Sequence, residues 1–457
     1  MSAAVDVRVL SYNIFVRPPG INANGNDYKD ERLNHFVSLI DRFDVICLQE
    51  LFGAFSSRRA HFIAAAKAKG FLYAVTSPHV GWLSGFLVDG GLCIVSKFPI
   101  VADHHVTFPK GLYSDALSAK GALHALIDVT PPAPPAPAAA ASASTSSKLL
   151  LHVFCTHLQA SYYPSRPLDD VGFVKSWQAR IKQLAVLNAF VNQCIAGDDH
   201  DAVLVGDFNV NGRQYTHGSA EHELRDAKFA GFAGAPKVEV ADDHAFLVSD
   251  QYVDLLKLLA APAYEVFDCL RDAAESIGLH CHPVTIGDVV MHGEKVEARE
   301  VLLTDAHDLR SRHCLDYIFL LWRSGATGGT HADVHADVHP HTHVERFAVV
   351  ENGLVVTQLS DHYGVSSHLR VAPRAAHHRK HHRRPSRRTI TASESASSSS
   401  LKKSKSKSKV VDSAAAAPTA ASAPAAAAAA APAPRKHRSK QKSSTATDES
   451  ARTESSE

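Results

Sequence analysis

Short apolar runs that break off at a polar residue recur along this chain, and the recurrence limits the folds open to it. The clearest is Val203-Leu-Val-Gly206-Asp207-Phe208-Asn209, where a run of strand length ends on a carboxylate and an amide. Successive strand residues face opposite ways, so Asp207 and Asn209 can share a face while Phe208 packs. Val5, Val7 and Val9 likewise alternate with other residues up to Asn13, and residues 44–48 run into Gln49-Glu50. Residues 151–155 lead to Thr156-His157, Asp316 opens Asp316-Tyr-Ile-Phe-Leu320, and Asp361-His362 follows 354–359. Strand patterns are also read at 91–96, 122–129, 148–155 and 315–322. Between them lie helical periods at 28–41, 57–69 and 173–191, the last with Phe173, Trp177, Ile181, Leu184, Leu187 and Val191 on one side. Two further helices are expected at 249–260 and near 265–277. Strand and helix in alternation predict an α/β protein with helices covering mixed sheets.

At 457 residues with 45% hydrophobic content, the chain suffices for one large domain with tails or insertions. Its formal charge of +1 hides an asymmetry: residues 371–457 carry 18 Lys and Arg against 6 Asp and Glu, and the remainder 30 against 41. An acidic body of residues 1–370 thus precedes a basic tail, 371–457, rich in Ala, Pro, Ser and Lys, with a disorder composition. Residues 131–147 read as a low-complexity loop joining two strands. Residues 324–343 read as a Gly/His-rich insertion containing His331, His335 and His339; a solvated loop and a transition-metal site are its two readings. Seven scattered cysteines without a CxxC pair disfavour a zinc ribbon or disulfide framework and suit a reducing compartment. The N-terminus carries no charged-then-apolar leader, and no run of about twenty apolar residues occurs. A soluble cytoplasmic monomer is expected, with peripheral membrane contact and a nuclear location both left open.

The strand-end residues have the chemical types that a phosphodiesterase needs. A hard cation takes oxygen ligands, one or two of them protein carboxylates in the case of Mg²⁺. Hydrolysis wants a base for water and donors for the phosphoryl charge. Taken singly, each has a plain structural alternative: a strand followed by an Asx turn for 207–209, or a histidine satisfied in the core.

Asn13, Gln49-Glu50, Thr156-His157, Gly206-Asp207-Phe208-Asn209, Leu315-Asp316-Tyr317 and Ser360-Asp361-His362 stand in an order that resembles the endonuclease/exonuclease/phosphatase superfamily. That superfamily includes deoxyribonuclease I, apurinic endonucleases, inositol polyphosphate 5-phosphatases and neutral sphingomyelinases. The resemblance covers residues 5–370 and implies a four-layer, deoxyribonuclease I-like sandwich of two mixed β-sheets flanked by helices. It implies Mg²⁺ as cofactor, with Glu50 as principal ligand, Asn13 beside it and Asp361 near the metal. His362 would be the general base oriented by Asp316, Asp207 would position water, and Asn209 would bind a phosphate oxygen. His157 would stabilise or protonate the leaving side, one histidine serving as base and the other as a charged donor.

Three features resemble the neutral sphingomyelinase branch: Gly90-Gly-Leu-Cys-Ile-Val-Ser-Lys-Phe-Pro-Ile100 after the apolar loop 81–88, the spacing of Asp115 and Lys120, and the segments His282-Pro-Val-Thr285 and Leu315-Asp-Tyr-Ile-Phe319. Lys120 could pair with a substrate phosphate, or form a surface salt bridge. The resemblance implies Mg²⁺-dependent hydrolysis of the membrane lipid sphingomyelin to ceramide and phosphocholine. A nuclease or a phosphoinositide phosphatase of the same fold is the alternative. Ser311-Arg-His-Cys-Leu-Asp316 departs from the Cys-Asp-Arg motif of 5-phosphatases, and the acidic body disfavours nucleic acid, whose binding leans on Lys and Arg. Membrane access is assigned to the apolar loop 82–88 and to basic clusters at 379–388, 402–409 and 435–442.

Overall fold

The computed structural model describes residues 4–81, 83–131, 148–161, 170–215, 246–261, 264–293, 295–305, 309, 311–323, 342–349 and 355–372. Trp82, the low-complexity segment from 132, most of the histidine-rich insertion and the basic clusters lie outside the described residues. In chain order the strands are β1 Val5–Val16, β2 Val45–Leu51, β3 Tyr73–Thr76, β4 Cys93–Ser96, β5 Ile100–Thr107 and β6 Gly121–Asp128. There follow β7 Leu150–His157, β8 Asp201–Asp207, β9 Arg213–Tyr215, β10 Phe246–Val248, β11 Tyr264–Asp268 and β12 Ile286–Gly287. The last are β13 Val289–His292, β14 Lys295–Ala298, β15 Arg312–His313, β16 Asp316–Arg323, β17 His343–Glu345 and β18 Gly364–Val371.

Two six-stranded sheets carry the architecture, ordered β17-β18-β1-β2-β4-β3 and β11-β16-β8-β7-β6-β5. Each is mixed, because β1 pairs parallel with β2 and β7 parallel with β8 while their other neighbours run antiparallel. The period-2 pattern decides what lies between them. Val7, Val9, Val45 and Cys47 of the first sheet share a core with Val153, Cys155, Val203 and Val205 of the second. Leu10, Tyr12 and Ile14 point the other way, into a second core with Phe36 and Phe62. Those phenylalanines belong to α1 Lys29–Leu39 and α2 Arg58–Ala68. The long helix α3, Asp170–Ile195, supplies Leu184, Leu187 and Val191 to the core of the second sheet. The result is the expected α/β sandwich of two mixed sheets with helices outside.

Three expectations need correction. The helix near 265–277 starts only at Cys269, because Tyr264–Asp268 pairs with β16 and the Asp268 side chain caps the helix by accepting from Leu270 N and Arg271 N. Asp361-His362 does not follow a strand; it lies in the turn that enters β18, with His362 bridged to Ile286. Asn209 does not owe its direction to strand alternation, since β8 ends at Asp207 and Asn209 has φ 52°. Strand β5 escaped the apolar reading because it is a half-exposed sheet edge carrying Asp103, His104 and His105.

Candidate active site

Strand register gathers the polar strand ends into one row. His157, the last residue of β7, is the cross-strand partner of Asp207, and Asp207 is the partner of Asp316. In the facing sheet Asn13 and Gln49 are partners. Asn13 has the parity of Val7 and Val9, so it too looks into the space between the sheets, and its Nδ2 donates to Asp207 Oδ2 at 3.0 Å and to Glu50 Oε1 at 3.3 Å. Its Oδ1 accepts from Phe15 N at 3.1 Å. Asn13 therefore clamps two carboxylates, and only the remaining lone pair of an oxygen already in use could meet a cation.

Glycines permit the closest approaches. A Cβ on Gly206 would stand 2.0 Å from Thr156 O of the adjacent strand, and Gly206 has φ 148°. Gly91, at φ 67°, lets the backbone pass where a Cβ would come 3.2 Å from Glu50 Cα. Glu50 itself has φ 57°, which takes its side chain out of the β2 pleat.

His362 Nδ1 lies 2.9 Å from Asp316 Oδ2, and His362 Nε2 is 3.8 Å from Asp207 Oδ2. Asp316 is wholly buried, and Thr285 Oγ1 accepts from the backbone N–H groups of Leu315 and Asp316 at 2.9 and 3.2 Å. Thr285 O in turn accepts from Tyr363 N. The segment His282-Pro-Val-Thr285 thus fixes both partners of the dyad. His282 itself is a core residue, with Nε2 2.8 Å from Asp268. On the other side Ser360 Oγ donates to Asn13 O at 2.6 Å, tying the His362 turn to β1. Sequence reasoning missed Thr285 as a holding group, and it also missed Arg32. The buried Arg32 guanidinium donates to the carbonyls of Ile14, Phe15, Leu359 and Asp27, joining the end of β1 to the same turn. A lone arginine in a helical pattern gives no signal of this.

Lys120 forms no surface salt bridge. It is 5% exposed, and its Nζ meets Asp115 Oδ2 at 2.9 Å, Leu158 O at 2.8 Å and His157 Nε2 at 3.0 Å. An ammonium has three donors, so all are engaged and none is left for a phosphate in this arrangement. Because lysine can only donate, His157 Nε2 accepts and the ring proton sits on Nδ1, a buried atom without a partner among the described residues. Burial, with the charges of Lys120 and His362, pushes the His157 pKa well below its ordinary value. His157 is therefore neutral, against the expectation of a charged donor. Asn209 Nδ2 donates to Leu158 O at 3.1 Å, beside Lys120, and its backbone N–H donates to Asp207 Oδ1 at 2.9 Å.

The centre carries excess negative charge. Burial raises Asp207 to about 7, with the neighbouring Asp316 adding to it. Burial likewise raises Asp361 to about 7, and the charge of Glu50 contributes. Burial lowers the His362 imidazole, but the charges of Asp316 and Asp207 and the Asp316 hydrogen bond outweigh it and hold the pKa well above the ordinary value. Glu50 Oε2 is buried without a partner among the described residues. An orphaned carboxylate oxygen beside a second carboxylate fits a hard cation. Asp207, Asp316 and His362 form a tighter donor set, all within 4.8 Å of one another. That compactness owes much to the Asp316–His362 hydrogen bond, which already engages two of the three groups.

Residues 10–236 match the model of the Endonuclease/Exonuclease/phosphatase family. A sphingomyelinase of Dictyostelium discoideum is 28% identical over 80% of this chain and 99% of that protein. A sphingomyelinase C of Bacillus cereus is 24% identical over 45% of this chain and 57% of that protein. Among solved structures, sphingomyelinase C from Streptomyces griseocarneus superposes with a TM-score of 0.47 at 19% identity, over 80% of this chain and 99% of that one. The chain belongs to the endonuclease/exonuclease/phosphatase family and is a hydrolase acting on phosphodiester bonds.

Proposed function

We propose that this hydrolase is an Mg²⁺-dependent sphingomyelin phosphodiesterase that releases ceramide and phosphocholine. The observation that carries the lipid reading is an exposed apolar rim beside the centre. Leu83, Leu87, Leu117, Phe55 and Tyr113 are all exposed, although they come from three separate segments. Hydrogen bonds hold those segments together: the N–H groups of Leu87 and Val88 donate to Leu117 O, and Asp89 Oδ2 accepts from Gly53 N and Ala54 N at 3.0 and 2.9 Å. Ala119 N donates to Val88 O, one residue before Lys120. Large side chains exposed together on a polar protein suit a lipid interface. The likeness to the Dictyostelium sphingomyelinase, over 80% of this chain and 99% of that protein, supports the same substrate.

Glu50, through its orphaned oxygen, and Asp361 are the residues to hold Mg²⁺. A bound divalent cation supplies neutralisation of the charge that develops on the phosphoryl oxygens. His362, as general base, takes a proton from water at Nε2, and Asp316 stabilises the imidazolium through Nδ1. Asp207 holds that water as it attacks phosphorus. The bond from phosphorus to the ceramide oxygen breaks and the electron pair leaves with that oxygen. The charge of Lys120, held behind His157, favours the departing alkoxide, which takes its proton from solvent. Asn209 keeps one amide proton for a phosphoryl oxygen. The test is turnover of labelled sphingomyelin, lysophospholipid, phosphoinositide and DNA in one Mg²⁺ buffer. Ceramide release that vanishes in His362→Ala supports the reading. Cleavage of DNA or phosphoinositide without ceramide release overturns it. Leu83→Ser with Leu87→Ser should weaken turnover on vesicles far more than on a water-soluble choline phosphodiester.

A further inference from the structure

On the helix-facing side of the second sheet, away from the carboxylate centre, three metal-ligating groups converge from three elements. His104 lies on β5, His124 on β6 and Cys194 near the end of α3. Their ligand atoms all lie within 4.8 Å of one another, with His104 exposed, His124 buried and Cys194 between. His104 and His124 are direct cross-strand partners, which fixes their approach by register.

A hydrogen-bonded chain behind His124 determines which of its nitrogens is bare. Asp198 can only accept, and both its oxygens lie near His152 Nε2, at 3.2 and 3.1 Å, so that nitrogen carries a proton. In the neutral ring His152 Nδ1 then accepts, and its partner His124 Nε2, 2.9 Å away, must donate. His124 Nδ1 is left as a lone pair, aimed at His104 Nδ1 3.3 Å away and at the Cys194 sulfur. A ligating imidazole whose other nitrogen is anchored through a chain ending on a carboxylate is a recurrent arrangement behind protein-bound metals.

We propose that His104, His124 and Cys194 form a second metal site, for an ion that favours thiolate and imidazole, of which Zn²⁺ is the physiological example. Thiolate selects against Mg²⁺, so the site is chemically distinct from the carboxylate centre. Three protein ligands leave a coordination position open toward the exposed side of His104. Binding displaces the thiol proton of Cys194 to solvent and moves the His104 proton to Nε2. The ion would brace the β5 edge against α3, on strands that also lead to Lys120 and His157.

Co²⁺ alone, added to the full chain, tests this, because a thiolate ligand gives a near-ultraviolet charge-transfer band that carboxylate and histidine sites lack. The band is expected in the wild type, displaced by equimolar Zn²⁺ and untouched by excess Mg²⁺. It should disappear in Cys194→Ser and persist when His331, His335 and His339 are all replaced by Ala. His104→Gln, at an exposed edge position, should weaken binding even if the serine variant misfolds, and Asp198→Ala should weaken it roughly ten- to hundredfold. A band absent from the wild type, or unchanged in both Cys194→Ser and His104→Gln, overturns the site.

Discussion

Asp316→Asn tests the assignment of the base at the candidate centre. The carboxylate is wholly buried and its Oδ2 lies 2.9 Å from His362 Nδ1, so the substitution removes the negative charge that faces a developing imidazolium while keeping the shape. A positioned general base contributes typically 10²–10⁴-fold, so turnover should fall by about that range, or roughly 3–5 kcal/mol in the barrier. The loss should appear in kcat, since no contact with the lipid is touched. The sign of the pH effect also follows. Against burial, Asp316 and Asp207 raise the His362 pKa, and the base must be neutral to accept a proton. With Asp316 neutral, the acid limb of kcat/KM against pH moves to lower pH. Stability should fall along with activity. Relief of the Asp316–Asp207 repulsion is opposed by loss of the buried charge and hydrogen bond that hold the His362 pKa up, and removing one partner of a buried pair is destabilising. The assay is sphingomyelin turnover across pH, with urea midpoints as the fold control. Activity within tenfold of wild type, or an acid limb that stays in place or rises, would refute the His362–Asp316 assignment.

Gly206→Ala should destabilise by at least about 2 kcal/mol, seen as a lower urea midpoint, because its Cβ would sit 2.0 Å from Thr156 O. Arg32→Met should cost more than about 3 kcal/mol, since the carbonyls of Ile14, Phe15, Leu359 and Asp27 lose a donor they share. His124 titrates near 6.5 when unfolded and is pushed down to about 3 when folded, so its neutral form is fully compatible with the fold above the unfolded value. As pH falls through that window the unfolded chain binds the proton first, and stability drops by about 1.4 kcal/mol per unit. Unfolding free energies from urea titrations at pH 7 and pH 5 should therefore differ by about 2 kcal/mol less in His124→Gln than in the wild type.

The residues of the centre were legible because regular structure announces them. Asp207, Asp316 and His157 end or open apolar strands, and the pairing of β7, β8 and β16 puts them in one row. Asn13 followed from parity with Val7 and Val9. Where the backbone leaves the regular path, alternation gave the wrong reason for a right neighbourhood: Glu50 and Asn209 reach the centre through positive φ, and Asp361-His362 through a turn. The holding groups were invisible for another reason. Thr285, Arg32 and Asp89 act by hydrogen bonds to backbone far away in sequence, and no local pattern encodes a distant carbonyl or N–H. The roles of Lys120 and His157 turned on the same point, since a count of donors at Nζ needs Asp115, Leu158 and His157 in place together.

That ammonium also joins the two halves of the functional problem. The chemistry sits where β-strands of both sheets end, and hydrogen bonds join the loops of the apolar rim to one another. Lys120 stands two residues after Ser118, whose Oγ donates to Asp89 O, and Asp89 holds the loop that carries Phe55. The same lysine fixes the proton of His157 on Nδ1. The loops of the rim and the centre therefore share a buried cation whose three donors are all engaged. Such a connection makes the orientation of His157 depend on how the loops at 83–88 and 113–118 sit. On the proposed lipid reading, that connection would couple engagement of a lipid surface to the groups around the phosphate, with no moving domain required.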